Sequence, residues 1–196
     1  MAWGRENRQA RQQQPDLHNL PTPPPPANLD DFLQQAQTLI PAEIRLISGC
    51  EPGQTSADVS SIKGGSTLPN PNGRAGGACT SALLDVLNGG KATTTYQQVM
   101  LELRQNLQQD GFSQIPQLTS SRPLDLQETP FQLVGGGPNG RRRALLIGIN
   151  YQGQDGQLRG CHNDVLRMQE YIQKEHGFPS EDMLVLLGKC RDSSLE

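Results

Sequence analysis

A chain of 196 residues with a formal net charge of −3 carries no basic footprint for nucleic acid or for an acidic membrane surface. It holds no apolar run of roughly 18 residues to span a bilayer, and its first residues, MAWGRENRQARQQQ, lack the apolar stretch of a secretory signal. An apolar fraction of 34%, 21 glycines and 15 prolines describe a loop-rich chain with enough core for one domain and a disordered part.

The expected location is the cytoplasm, with the four cysteines reduced. Cys50, Cys79, Cys161 and Cys190 show no C-x-x-C pairing, so no metal site is expected from them. Residues 1–28 are rich in glutamine and end in TPPPPAN, a polyproline stretch. It reads as a disordered spacer, with a ligand for a proline-binding domain as the alternative. Asn28 then offers a cap, Asp30 and Asp31 suit a first helical turn, and Leu29, Phe32, Leu33, Ala36 and Ile40 share one face. Pro41 stops that helix.

IRLISGC, from Ile44, reads as a strand. The loop after it, EPGQTSADVSSIKGGSTLPNPNGRAGG, is long enough to be functional or disordered. Cys79, Ala82, Leu83 and Val86 line one side of a short helix ended by Gly89 and Gly90. Tyr96, Met100, Leu103 and Leu107 step by 4, 3 and 4, which predicts an amphipathic helix ending at Gly111. QIPQLTSS predicts a second strand. Residues 122–142, with glycine-rich turns and prolines, read as a linker. Ala144 to Ile149 is aliphatic throughout, as in a strand buried on both faces. A turn-rich loop with Gly153, Gly156 and Gly160 follows. Cys161, Val165, Met168 and Ile172 predict a helix ending near Gly177, and Met183 to Leu187 another strand. Strand, helix, strand is a βαβ unit with a parallel sheet and a right-handed crossover. The glycines after LLIGIN lack the register of a dinucleotide fingerprint, and no acidic residue ends the second strand.

RRALLIGINYQGQDGQLRGCHNDV closely resembles the start of the large-subunit region of metacaspases, the caspase-like cysteine peptidases of plants, fungi, algae and protists. LISGCEPGQTSADVS, GGACTSALLDVL, TYQQVMLELRQNL and QIPQLTSSRPLDL resemble their small-subunit region. The small-subunit region comes first here, an inverted layout similar to the type III metacaspases of microalgae. The resemblance divides the chain into a tail (1–28), a small-subunit-like region (29–121), a linker (122–142), the start of a large-subunit-like region (143–187) and a tail outside the family pattern (188–196). It implies a partial caspase-like α/β fold, a mostly parallel sheet flanked by helices, in which this chain supplies family strands 5, 6, 1 and 2 and lacks the central ones.

The family cuts after Arg or Lys with a His base and a Cys nucleophile in Y-S-G-H-G-like and D-S-C-H-S-G-like motifs. Neither motif occurs among these residues, so the expected catalytic set is empty and the chain is expected to be inactive as given. The alternative is a truncated paralogue that binds or regulates a full-length metacaspase. Cys161 and Asp164, in RGCHNDV, match positions lining the primary specificity pocket, where a carboxylate pairs with a substrate Arg or Lys. A helix-terminal carboxylate facing the dipole is the simpler reading of Asp164. Asp58 would border the same cleft, or else serve a turn or cap with Ser56. The family's calcium-binding Asp cluster has no counterpart here, so calcium is an expectation for a complete enzyme only. The implied partners are proteins or peptides with Arg or Lys at the cut, with no nucleic acid and no membrane. Arg141, Arg142 and Arg143 form a candidate processing site, or a charged gatekeeper ahead of the strand. GKCRDSSLE departs from the family pattern. Because Gly188-Lys189-Cys190 can be encoded with the intron-start string GTAAGT, an unspliced intron or misplaced exon boundary is the expectation there.

Overall fold

The computed structural model describes residues 27–59, 75–89, 94–134 and 142–188. The polyproline stretch, His18, Arg141, Cys190 and the tail from 189 onward lie outside the described residues. The chain divides into two units, Met1–Glu43 and Ile44–Glu196.

The first unit contains α1, Leu29–Leu39. The Asn28 side chain accepts the Asp31 N–H at 2.9 Å, and the Asp31 carboxylate accepts the Ala27 N–H at 2.8 Å. These bonds satisfy donors that a helix start leaves orphaned. None of the helix residues is buried: of the predicted apolar stripe, Leu29, Phe32 and Ile40 are exposed, and Leu33 and Ala36 are half-buried.

The second unit runs β1 (Arg45–Ser48), β2 (Asp58–Val59), β3 (Gly76–Gly77), α2 (Ala78–Asn88), α3 (Tyr96–Gln109), β4 (Gln117–Ser120), β5 (Ala144–Gly148), α4 (Cys161–His176), a 3₁₀ turn (Ser180–Asp182) and β6 (Met183–Leu187). Its core lies between α2 and α3, where Ala78, Ala82, Val99, Met100, Leu103 and Leu107 are buried together. The predicted apolar steps of both helices are thus the core-facing ones. Thr95 starts α3 with a reciprocal capping box to Gln98. β1 and β4 pair antiparallel, from Arg45 opposite Ser120 to Ser48 opposite Gln117. The cross-strand partners Ile47 and Leu118 lie side by side on the face of that ribbon packed on the core.

β5 and β6 pair in parallel, with Ala144 opposite Met183 and Gly148 opposite Leu187, as the βαβ pattern predicts. Gly148 lets α4 approach: a Cβ there would stand 2.7 Å from the Cys161 carbonyl oxygen and 2.9 Å from Val165. Left-handed Gly177 (φ 62°) ends α4. Burial of this ribbon on both faces does not occur. α4 packs Val165 and Ile172 inward, while Leu145, Ile147 and Leu184 remain 59%, 56% and 57% exposed. Strict alternation in a strand sends every second aliphatic residue to the other face, and that face is open.

Residues 122–134, the described part of the linker ahead of residue 142, are tied to α3. The first-turn amides of α3 need acceptors, and the linker supplies them: Gln97 N–H donates to the Leu126 carbonyl at 2.9 Å and Tyr96 N–H to that of Thr129 at 3.3 Å. Phe131 then packs its ring 5.0 Å from that of Tyr96.

Candidate functional site

Asp58 sits in β2, Cys161 opens α4, and Asp164 lies one turn further along that helix. The structure brings all three to one seam, where residues 58–59 and 75–81 of the small-subunit-like region meet residues 159–167. Five hydrogen bonds stitch it. Asp58 Oδ2 accepts the Arg159 N–H at 2.6 Å. Asp164 accepts the Gly77 N–H with Oδ1 at 3.0 Å and Oδ2 at 2.9 Å. Asn163 Nδ2 donates to the Ala75 carbonyl at 2.7 Å, and Arg167 to the Ser81 hydroxyl at 2.8 Å.

The turn or cap reading of Asp58 is therefore replaced by a long-range bond. Asp164, likewise, does more than face its own helix dipole. α2 starts at Gly77, which has no side chain to cap it, and the Asp164 carboxylate does that work from another helix. The glycine is required: a Cβ on Gly77 would stand 2.6 Å from Asp164 Oδ2.

Burial pushes the Asp164 carboxyl up to about 6, against the Gly77 N–H, the nearby Arg167 guanidinium and the Thr80 hydroxyl; the Asp58 charge raises it slightly further. The Cys161 thiol is also raised, first by burial and then by Asp58 and Asp164. Cys79 is pushed up to about 11 by burial, with Cys50 and Asp164 adding to it. A nucleophilic thiolate needs the opposite environment. The seam thus places two carboxylates beside thiols that burial holds protonated.

Sequence reasoning missed Gln114, which is 5% exposed. Its side chain accepts the Ala57 N–H at 2.8 Å and donates to the Gly49 carbonyl at 2.9 Å, which fixes the segment carrying Asp58. It also missed Gly76 and Gly160, which meet backbone to backbone: a Cβ on Gly160 would lie 2.5 Å from Gly76 Cα. Glycines before a helix signal a turn in sequence, and nothing local marks them as a close approach.

Arg142 and Arg143 lie apart from the seam, on a cavity of about 340 Å³ that Phe178 and Ile172 also line. Among the described residues no three His, Cys, Asp or Glu side chains converge to hold a metal ion, so the described residues build no calcium cage, which takes roughly six or more oxygens. No helix among the described residues is long and apolar enough to cross a membrane.

The family-model matches do not follow the division read from the sequence: one begins inside the 1–28 tail and ends inside the linker, and the other runs through most of residues 188–196, the stretch expected to depart from the family pattern. A family model described as the caspase domain matches residues 9–127, and one described as a metacaspase, peptidase C14 domain matches residues 142–195. Metacaspase III c of Phaeodactylum tricornutum is 48% identical over 163 residues, covering 81% of this chain and 48% of the relative. Metacaspase-1 of Emericella nidulans is 60% identical over 47 residues, which are 24% of this chain and 12% of that protein. Metacaspase-1B of Aspergillus fumigatus is 43% identical over 82 residues, 37% of this chain and 19% of the relative. The chain spans about half the length of the Phaeodactylum protein and less of the fungal ones. With a caspase-domain match over most of its length and metacaspase matches on both sides of the linker, this chain belongs to the metacaspases, the caspase-like cysteine peptidase family.

Proposed function

We propose that this chain carries the substrate-recognition half of a cysteine endopeptidase that cuts proteins after Arg or Lys. The observation that carries the reading is the pair of carboxylates, Asp58 and Asp164, beside Cys161 at the seam. Two acidic groups in a half-buried, glycine-walled cleft favour a guanidinium or ammonium over any neutral side chain. The raised thiols of Cys79 and Cys161 support assigning recognition, and not nucleophilic attack, to these residues. The His base and Cys nucleophile of the reaction belong to other motifs of the family.

The test is direct. L-Argininamide titrated into the purified chain, followed by amide chemical shifts, is expected to bind saturably at residues 58–81 and 159–167. The isosteric neutral citrullinamide is expected to bind far more weakly, since a lost charge-assisted pair costs on the order of 2–5 kcal/mol. Equal binding of the two amides overturns the reading.

A second reading, association with a longer metacaspase, is favoured by the open face of the β5/β6 ribbon, where Leu145, Ile147, Leu184 and Leu186 are exposed. Co-purification with a longer family member, lost on replacing Ile147 and Leu184 by Asn, tests it.

A further inference from the structure

Both carboxylates of the proposed basic pocket are already in use. Asp58 Oδ2 holds the Arg159 N–H at 2.6 Å, while Asp58 Oδ1 is buried with no hydrogen-bond partner. That oxygen lies against Gly160, where any Cβ would collide with it. Asp164 spends both oxygens on Gly77 and accepts from the Thr80 hydroxyl as well. Main-chain N–H groups occupy Asp58 Oδ2 and both Asp164 oxygens, and Gly160 covers the remaining Asp58 oxygen that a substrate guanidinium needs.

The Arg159 contact belongs to a loop with a defined neck. Leu158 N–H donates to the Asn150 carbonyl at 2.8 Å, and Gly153 N–H to the Gln157 side chain at 3.0 Å. Between them residues 151–157 are exposed, and Tyr151, Gly153 and Gly156 have left-handed backbones at φ 49°, 73° and 79°. The loop stays in place without burying its own side chains. Its free end is pinned to the rest of the cleft by Asp58.

We propose that residues 150–160 form an autoinhibitory strap latched on Asp58, and that a cationic side chain opens it by taking Asp58 over. The inference rests on the basic-pocket reading above. A buried carboxylate oxygen without a donor is costly, and the latched state leaves one such oxygen. A guanidinium presents two parallel N–H groups and can satisfy both oxygens at once. It therefore competes well with a single neutral N–H, but only once Gly160 has moved off Oδ1. Opening and cation binding are one exchange of donors at one carboxylate.

The experiment uses amide hydrogen exchange in the full chain, with L-argininamide as the probe. In the wild type, saturating argininamide is expected to speed exchange of the Arg159 N–H by about tenfold or more, as local opening replaces a closed bond. Asp58→Ala is expected to give the same gain with no probe present. Asp58→Asn keeps an acceptor for Arg159 N–H, so it is expected to keep the protection and lose the response. Unchanged Arg159 exchange in Asp58→Ala overturns the strap. So does argininamide that binds while Arg159 stays protected, and in that case the basic pocket survives. Absence of argininamide binding to wild type and Asp58→Ala alike removes the pocket and the strap together. Should Asp58→Ala fail to fold, the wild-type titration against Asp58→Asn decides by itself.

Discussion

Arg142 donates from its guanidinium to the main-chain carbonyl of His176 at 3.0 Å. The same group lies 4.9 Å over the Phe178 ring. One of the three arginines ahead of β5 is thus docked on the C-terminal end of α4, where a cation suits the helix dipole.

Residues 142 and 143 are exposed, and the docking of Arg142 is expected to slow proteolysis of the bond that follows it. We expect Arg142→Lys, which keeps a basic residue for a trypsin-like protease but loses the planar stack, to be cut faster after residue 142. Losing about 0.5–1 kcal/mol of ring contact corresponds to roughly two- to fivefold. Timed digestion with N-terminal sequencing reads this out, and equal rates would show that the docked arginine gives no protection.

Stability should depend on pH through Asp164. Its folded carboxyl is raised to about 6 from an ordinary 3.8, so between those values the folded state holds a proton that the unfolded state lacks. Stability from this group is fully present below about 4 and is lost as pH rises through about 6. Asp164→Asn does not titrate there. Urea midpoints of wild type minus Asp164→Asn are expected to fall from pH 4.5 to pH 6.5 and then level off; a flat or rising difference contradicts the burial argument.

The capping box of α3 gives a smaller, local effect. Thr95→Ala removes the acceptor that the Gln98 N–H uses at 3.3 Å and is expected to cost about 0.5–2 kcal/mol. Leu103→Ala, at a position with no exposure, is expected to cost about 2–5 kcal/mol. Urea denaturation ranks the two, and the reverse order would mean that α3 is not held by its buried stripe.

The purified 196-residue chain is expected to leave Arg- and Lys-ending fluorogenic peptides uncut. Cys79 and Cys161 sit where burial and carboxylates hold thiols protonated. Turnover that disappears on replacing either cysteine by Ala would refute this.

Much of the second unit was legible because its signals are local. Tyr96, Met100, Leu103 and Leu107 announce their helix by spacing, and all four are buried. Val165 and Ile172 do the same for α4, and the strand at Met183–Leu187 stands where its aliphatic run predicts. The pairing of Asp58 with Arg159 N–H spans 101 residues, and no periodicity encodes it. The same holds for the capping of α2 by Asp164: Gly77 looks like any glycine before a helix until its partner is placed. The open face of β5 misled for another reason. Aliphatic residues at every position show what a strand is able to bury, and only a covering element decides which side is covered.

The inverted order has a cost in time. The bonds that close the seam join residues 86 to 101 positions apart, and in every one the partner in the small-subunit-like region is synthesised first. At a synthesis rate of roughly 5–20 residues per second, Asp58 waits on the order of 5–20 s for Arg159 to leave the ribosome. During that interval Gly77 lacks its acceptor on Asp164, and the Asp58 segment is held by its antiparallel pairing with β3 and, once it is made, by Gln114. The first half of this protein therefore leaves the ribosome with its half of the seam unpaired, and that half stays so until the second half arrives.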